Sequence, residues 1–93
     1  MNTPQLRNWL IHKTYEGNYT LHGEIHNDIR YDENTTDFAD GHIIFTTEII
    51  KIVDNLHADF YISTENTTYY CKLEDAYDSA THCIYDVMKE VNK

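Results

Sequence analysis

The order of apolar and polar residues divides the chain into segments of different period. Thr3-Pro4 reads as an N-cap followed by proline at the first helical position, and Leu6, Trp9 and Leu10 then fall at i, i+3 and i+4, one face of a helix. The spacing predicts a short N-terminal helix from Pro4 to about Lys13, broken at Gly17-Asn18. Beyond the break, Tyr19, Leu21, Gly23 and Ile25 alternate with Thr20, His22, Glu24 and His26, the period of two that a half-buried strand requires.

Residues 27 to 41 carry Asp28, Asp32, Glu33, Asp37 and Asp40 with Arg30 as the sole base, and close on the turn dipeptide Asp40-Gly41. They read as an acidic loop pinned by Ile29, Tyr31 and Phe38. His42 to Val53 is rich in isoleucine and threonine and predicts a long strand. Its apolar alternation slips between Phe45 and Ile49, which places a bend or bulge near Thr47. Asp54-Asn55 turns the chain, and the runs Asp59 to Thr64 and Thr67 to Leu73, separated by Glu65-Asn66, predict a tight hairpin.

The last segment returns to helical spacing: Tyr77, Ala80, Ile84, Val87, Met88 and Val91 form an apolar stripe, with Asp78, Thr81, Asp86 and Lys89 outside it. Acids at Glu74, Asp75 and Asp78 and bases at Lys89 and Lys93 give the polarity that a helix dipole favours. The expected fold is α+β: a short N-terminal helix, about four antiparallel strands, and a C-terminal amphipathic helix packed on one face of the sheet. With 93 residues and 41% hydrophobic content, a single domain spanning 1–93 around one core is expected.

Charge changes the picture most. Sixteen acids against seven bases leave a net charge of −9, which opposes any general affinity for nucleic acid or anionic membrane, since both would be repelled. A basic partner, or simple solubility, would account for it. No stretch approaches the roughly 18 apolar residues of a membrane span, and Met-Asn-Thr-Pro-Gln has neither a basic region nor an apolar signal core, so a cytoplasmic location is expected. In a reducing compartment Cys71 and Cys83 are expected as free thiols, and the Asn-x-Ser/Thr sequons at Asn18, Asn34 and Asn66 as polar turns.

Candidate chemistry is sparse. His22-Gly23-Glu24 matches the first part of a zinc deaminase signature, but the Pro-Cys-x-x-Cys half that completes the metal site is missing. His22, Glu24 and His26 share one face of a strand, yet His22 and His26 would stand about 13 Å apart, too far to hold one ion. A polar strand face explains them. There is no Gly-x-Ser-x-Gly elbow and no glycine-rich phosphate loop, and neighbouring carboxylates such as Asp32-Glu33 lose diagnostic value among so many acids. The chain is therefore expected to be no enzyme and to carry no cofactor or metal. Eight tyrosines remain, and those at 31, 61, 69, 70 and 85 do not all fit one buried face. Tyrosine interleaved with carboxylate is a composition of protein-binding surfaces, although strand propensity also favours it.

The segments Leu21-His-Gly-Glu-Ile25, Asp40-Gly-His-Ile-Ile-Phe-Thr-Thr-Glu-Ile-Ile50 and Thr64-Glu-Asn-Thr-Thr-Tyr-Tyr-Cys-Lys-Leu73 together resemble small phage and prophage accessory proteins. Those read roughly L-x-G-x-V, D-G-x-x-I-x-T-[ST]-x-I and T-x-N-x-x-Y-x-L. The likeness spans about half the chain and is one of hairpin pattern, with no catalytic residue to carry over. The acidic stretch from Asn27 to Asp37 departs from it as an insertion, and Glu74 stands where such proteins often have glycine. The resemblance implies an accessory protein acting in the host cytoplasm, a class that includes anti-CRISPR and other anti-defence inhibitors that occupy nucleic-acid-binding surfaces of host enzymes.

The leading expectation is an inhibitor or adaptor that docks onto a basic host-protein surface through Glu24, Asp28, Asp32, Glu33, Asp37 and Asp40, with Tyr31 as an anchor. It would touch neither nucleic acid nor membrane directly. A second expectation is a nucleotide sponge, with Arg7, Arg30 or a helix start near Asp75 receiving phosphate. A third is a self-assembling component, such as a homodimer paired edge to edge through its strands.

Overall fold

The computed structural model describes residues 3–26, 41–55, 59–77 and 84–93. Five strands, β1 (Gln5–Lys13), β2 (Tyr19–His26), β3 (Ile43–Asp54), β4 (Asp59–Thr64) and β5 (Thr68–Lys72), form an antiparallel meander that closes into a barrel. A single turn of 3-10 helix (Leu73–Asp75) follows, and α1 (Ile84–Val91) is the only α-helix among the described residues. The fold is mostly β, which overturns the α+β expectation. Because five strands is an odd number, the first and last run the same way, so the closing pair β1–β5 is parallel while all others are antiparallel.

The predicted N-terminal helix is β1. Leu6 and Trp9 are both fully buried, three residues apart as on a helix, but the cause is a β-bulge. Arg7 pairs with Glu24 and Leu10 with His22, so Asn8 and Trp9 together face the single residue Gly23. Asn8 takes the left-handed backbone, φ 49°, that such a bulge demands and that asparagine tolerates better than most residues. Pro4 fits equally well at a strand start, where its missing N–H costs nothing, and its carbonyl accepts from the Tyr70 N–H at 2.9 Å.

The remaining strands follow their predicted ranges closely. In β2 the side chains of Leu21 and Ile25 are buried with Gly23 between them, and Thr20, His22, Glu24 and His26 face outward. In β3 the bulge expected near Thr47 is present, with Thr46 and Thr47 facing Leu21. Thr46 Oγ1 accepts the Leu21 N–H at 3.0 Å and donates to the Thr47 carbonyl at 2.8 Å, replacing ladder bonds that the bulge displaces. A second bulge at Ile50 sets Ile49 and Ile52, again three apart, on the same inner face. The β4–β5 hairpin is regular. Its register runs unbroken from Asp59↔Lys72 to Ser63↔Thr68, and Thr64 and Thr67 clasp the Glu65-Asn66 turn.

Each strand gives two large side chains to the core: Leu6 and Trp9, Leu21 and Ile25, Ile49 and Ile52, Phe60 and Ile62, Tyr69 and Cys71. Ile84 and Val87 of α1 complete it, with Met88 and Val91 packed alongside, as the apolar stripe predicted. Tyr77, counted into that stripe, lies outside α1 and is exposed, and Asp75 belongs to the 3-10 turn instead of a helix start. Rather than covering a sheet face, α1 lies along the half of β3 that outruns β2, whose pairing ends at Thr20↔Glu48. There Asn92 accepts the Ile52 N–H at 3.0 Å and donates to its carbonyl at 2.6 Å, while Tyr19 donates to Glu90 at 2.7 Å. The strand edge left over is thus covered. Among the described residues no helix is long and apolar enough to cross a membrane.

Candidate binding surface

The outer face of β1, β2 and β3 around the Asn8 bulge holds an unusual set of side chains. Gly23 is there for a steric reason: a Cβ at this position would lie 3.0 Å from Trp9 Cβ and 3.2 Å from Trp9 Cα. Only glycine lets β2 approach the bulged Trp9 this closely. The fragment His22-Gly23-Glu24 is therefore explained by packing, and its two flanking side chains project outward. Glu24 Oε2 accepts from Asn8 Nδ2 at 2.6 Å, and its Oε1 lies 3.9 Å from His26 Nε2. Arg7 is opposite Glu24 in the register, but the bulge gives the near carboxylate oxygen to Asn8.

Two residues back along the same face of β2, His22 meets the Phe45 ring edge to face, centroids 4.5 Å apart and planes at 85°, and His12 lies 5.4 Å away. Burial lowers the His22 pKa below its ordinary value, and the neighbouring His12 adds to the effect, so His22 is uncharged at neutral pH. Phe45 is 72% exposed and Ile43 61% exposed, although both sit in a strand, and Tyr77 is 53% exposed. They line a depression of about 190 Å³ together with Asn8, Leu10, His22, Gly23 and Glu24. Apolar side chains grouped at the surface beside polar ones mark interaction sites more often than scattered ones do.

Of the residues predicted to contact a partner, Glu24 is on this surface. Asp28, Tyr31, Asp32, Glu33, Asp37 and Asp40 lie outside the described residues, as does Cys83. The other tyrosines divide. Tyr69 is core, Tyr85 sits edge to face on Phe60 at 5.7 Å, and Tyr61 and Tyr70 stack 5.3 Å apart on the outer face of the hairpin. The Tyr70 hydroxyl donates to Asp59 at 2.9 Å, which raises its pKa above the ordinary tyrosine value. Cys71 is a free, fully buried thiol whose pKa burial pushes well up, with Asp75 adding to it.

Among the described residues no three His, Cys, Asp or Glu side chains converge to hold a metal ion. Asn8, Ile43, Phe45 and Tyr77 were not among the contact residues predicted from the sequence. A signal existed for two of them: Ile43 and Phe45 precede the slip in apolar phase at Thr46-Thr47, so they fall on the face opposite to Ile49. Comparison of the chain with protein-family models, with curated proteins and with solved structures gives no match.

Proposed function

We propose that this protein is a binding module that docks onto a basic surface of a host protein, acting as a phage-type inhibitor of a defence effector that uses that surface for nucleic acid. One observation carries the reading: exposed Ile43, Phe45 and Tyr77 line a depression with the Glu24 carboxylate, on a chain of net charge −9. Apolar anchors supply contact area, while complementary charge speeds and orients the encounter. The test is capture from host lysate on immobilised protein, eluted in steps of salt, beside a variant carrying Ile43→Ser and Phe45→Ser. A specific basic partner released by salt and lost from the variant supports the reading. Retention of the same partners by the variant overturns it.

A nucleotide sponge is the second reading. It would draw on a depression of about 510 Å³ along β3 and α1 where Lys51 and Lys93 stand, a size within the usual range for small ligands. Asp54 beside them and the overall charge weigh against phosphate there. Mass spectrometry of protein recovered from nucleotide-fed lysate decides, an empty protein counting against it. Edge-to-edge assembly has less backbone to use, since every strand has a neighbour on each side and α1 covers the overhang of β3.

A further inference from the structure

We infer that the depression beside the Asn8 bulge receives an arginine side chain of the partner, the guanidinium lying against Phe45 and Tyr77 and facing the Glu24 carboxylate. The inference deepens the docking reading and rests on it. Among the side chains lining the depression Glu24 is the one that carries charge at neutral pH, because His22 is neutral there. The Glu24 carboxylate, with His26 3.9 Å from one oxygen and Arg7 opposite it in the register, stands beside two aromatic rings and attracts a further cation both by charge and by the ring quadrupole. About 190 Å³ is too small for a typical ligand pocket of roughly 300–1,000 Å³ and suits one side chain.

The site is also held in shape before anything binds. Asn8 fixes Glu24 through the 2.6 Å hydrogen bond, and His22 braces the Phe45 ring edge to face. Less rotamer freedom is then lost on association. Arginine fits better than lysine, since its planar and weakly hydrated guanidinium stacks on aromatic rings, whereas an ammonium keeps its water.

The experiment titrates isotope-labelled full chain with two blocked tripeptides, Gly-Arg-Gly and Gly-Lys-Gly, and with hepta-arginine over a range of salt, following backbone amide shifts. Wild type is compared with Glu24→Gln, which keeps the acceptor for Asn8, with Phe45→Ala, and with Glu65→Gln at the exposed β4–β5 turn. Unchanged amide spectra away from each substitution certify the fold. Saturable shifts at Asn8, Gly23 and Phe45 are expected with Gly-Arg-Gly, weakened about tenfold by Glu24→Gln and by Phe45→Ala but not by Glu65→Gln. Equal response to Gly-Lys-Gly, or equal weakening by Glu24→Gln and Glu65→Gln, overturns the arginine site. If hepta-arginine still binds in a salt-dependent way under that result, the docking reading survives without it. If hepta-arginine does not bind at all, both fail.

Discussion

The β4–β5 hairpin and the β1–β2–β3 side of the barrel are built from similar residues and behave differently. In the hairpin, buried and outward positions alternate without a slip, and the outer face is occupied by Tyr61, Tyr70, Asp59 and the Ser63–Thr68 hydroxyl pair. On the other side, bulges in β1 and β3 space the buried residues three apart and turn Ile43 and Phe45 to solvent. In the regular hairpin Phe60, Ile62, Tyr69 and Cys71 all go to the core, and Tyr61 and Tyr70 face outward. Irregular pairing leaves Ile43 and Phe45 over at the surface.

The comparison breaks first if the bulge is decoration. Trp9 is fully buried and its Nε1 donates to the Lys72 carbonyl at 2.8 Å, so Trp9→Ala should cost about 3–5 kcal/mol in urea unfolding. Phe45→Ala, at an exposed position only 36 residues along, should stay within about 0.5 kcal/mol. Equal costs would mean that the bulged side does not sort its apolar residues as described. Next in size, Gly23→Ala forces a Cβ against the Trp9 backbone and should destabilise by about 1–3 kcal/mol.

Asn8 tests the bulge with a smaller effect. Asn8→Ala meets the cost of a left-handed backbone, about 1–2 kcal/mol, whereas Asn8→Gly accepts that conformation and should be much milder. Matching losses would locate Asn8's importance in its side-chain bond to Glu24 instead. The smallest effects separate the regions by pH. His22 titrates below its ordinary value of 6.5, so its neutral form is favoured by the fold, and that contribution is present above pH 6.5 and lost as pH falls through the lowered value. Tyr70 is the opposite case: raised above 10.0, it contributes below that pH and loses the contribution as pH rises through the raised value. Resonance shifts of His22 and ultraviolet titration of Tyr70 check both, with His22→Gln expected to remove the first and Asp59→Asn to reduce the second.

The same contrast accounts for what was legible in the sequence. Strand β2, the hairpin and the amphipathic character of α1 follow from periods of two and 3.6 that nothing interrupts. The bulge near Thr47 was legible because isoleucine and threonine on both sides favour a strand, so a phase slip had no other meaning. In β1 the slip had another meaning, since Leu6, Trp9 and Leu10 after Thr3-Pro4 satisfy a helix as well as a bulged strand. Only the neighbours on either side of β1, Gly23 and Ala76, decide between them. Glu24 was found through its charge and its outward phase, whereas Tyr77 reaches the same depression by way of a hydrogen bond to the Trp9 carbonyl that no local pattern encodes.

The parallel seam between β1 and β5 also bears on how the molecule is made. Leu6 pairs with Cys71, and Trp9 with Ala76, contacts that close about seven tenths of the chain into one loop. The hairpin needs only the short Glu65-Asn66 link. Loop-closure entropy grows with chain length, and proteins dominated by distant pairings fold slowly. Formation should therefore proceed as an open meander growing around the β4–β5 hairpin, with the seam closing late. Because Tyr77 is tied to the Trp9 carbonyl on that seam, the depression it lines with Asn8, Glu24 and Phe45 should be one of the last features to form.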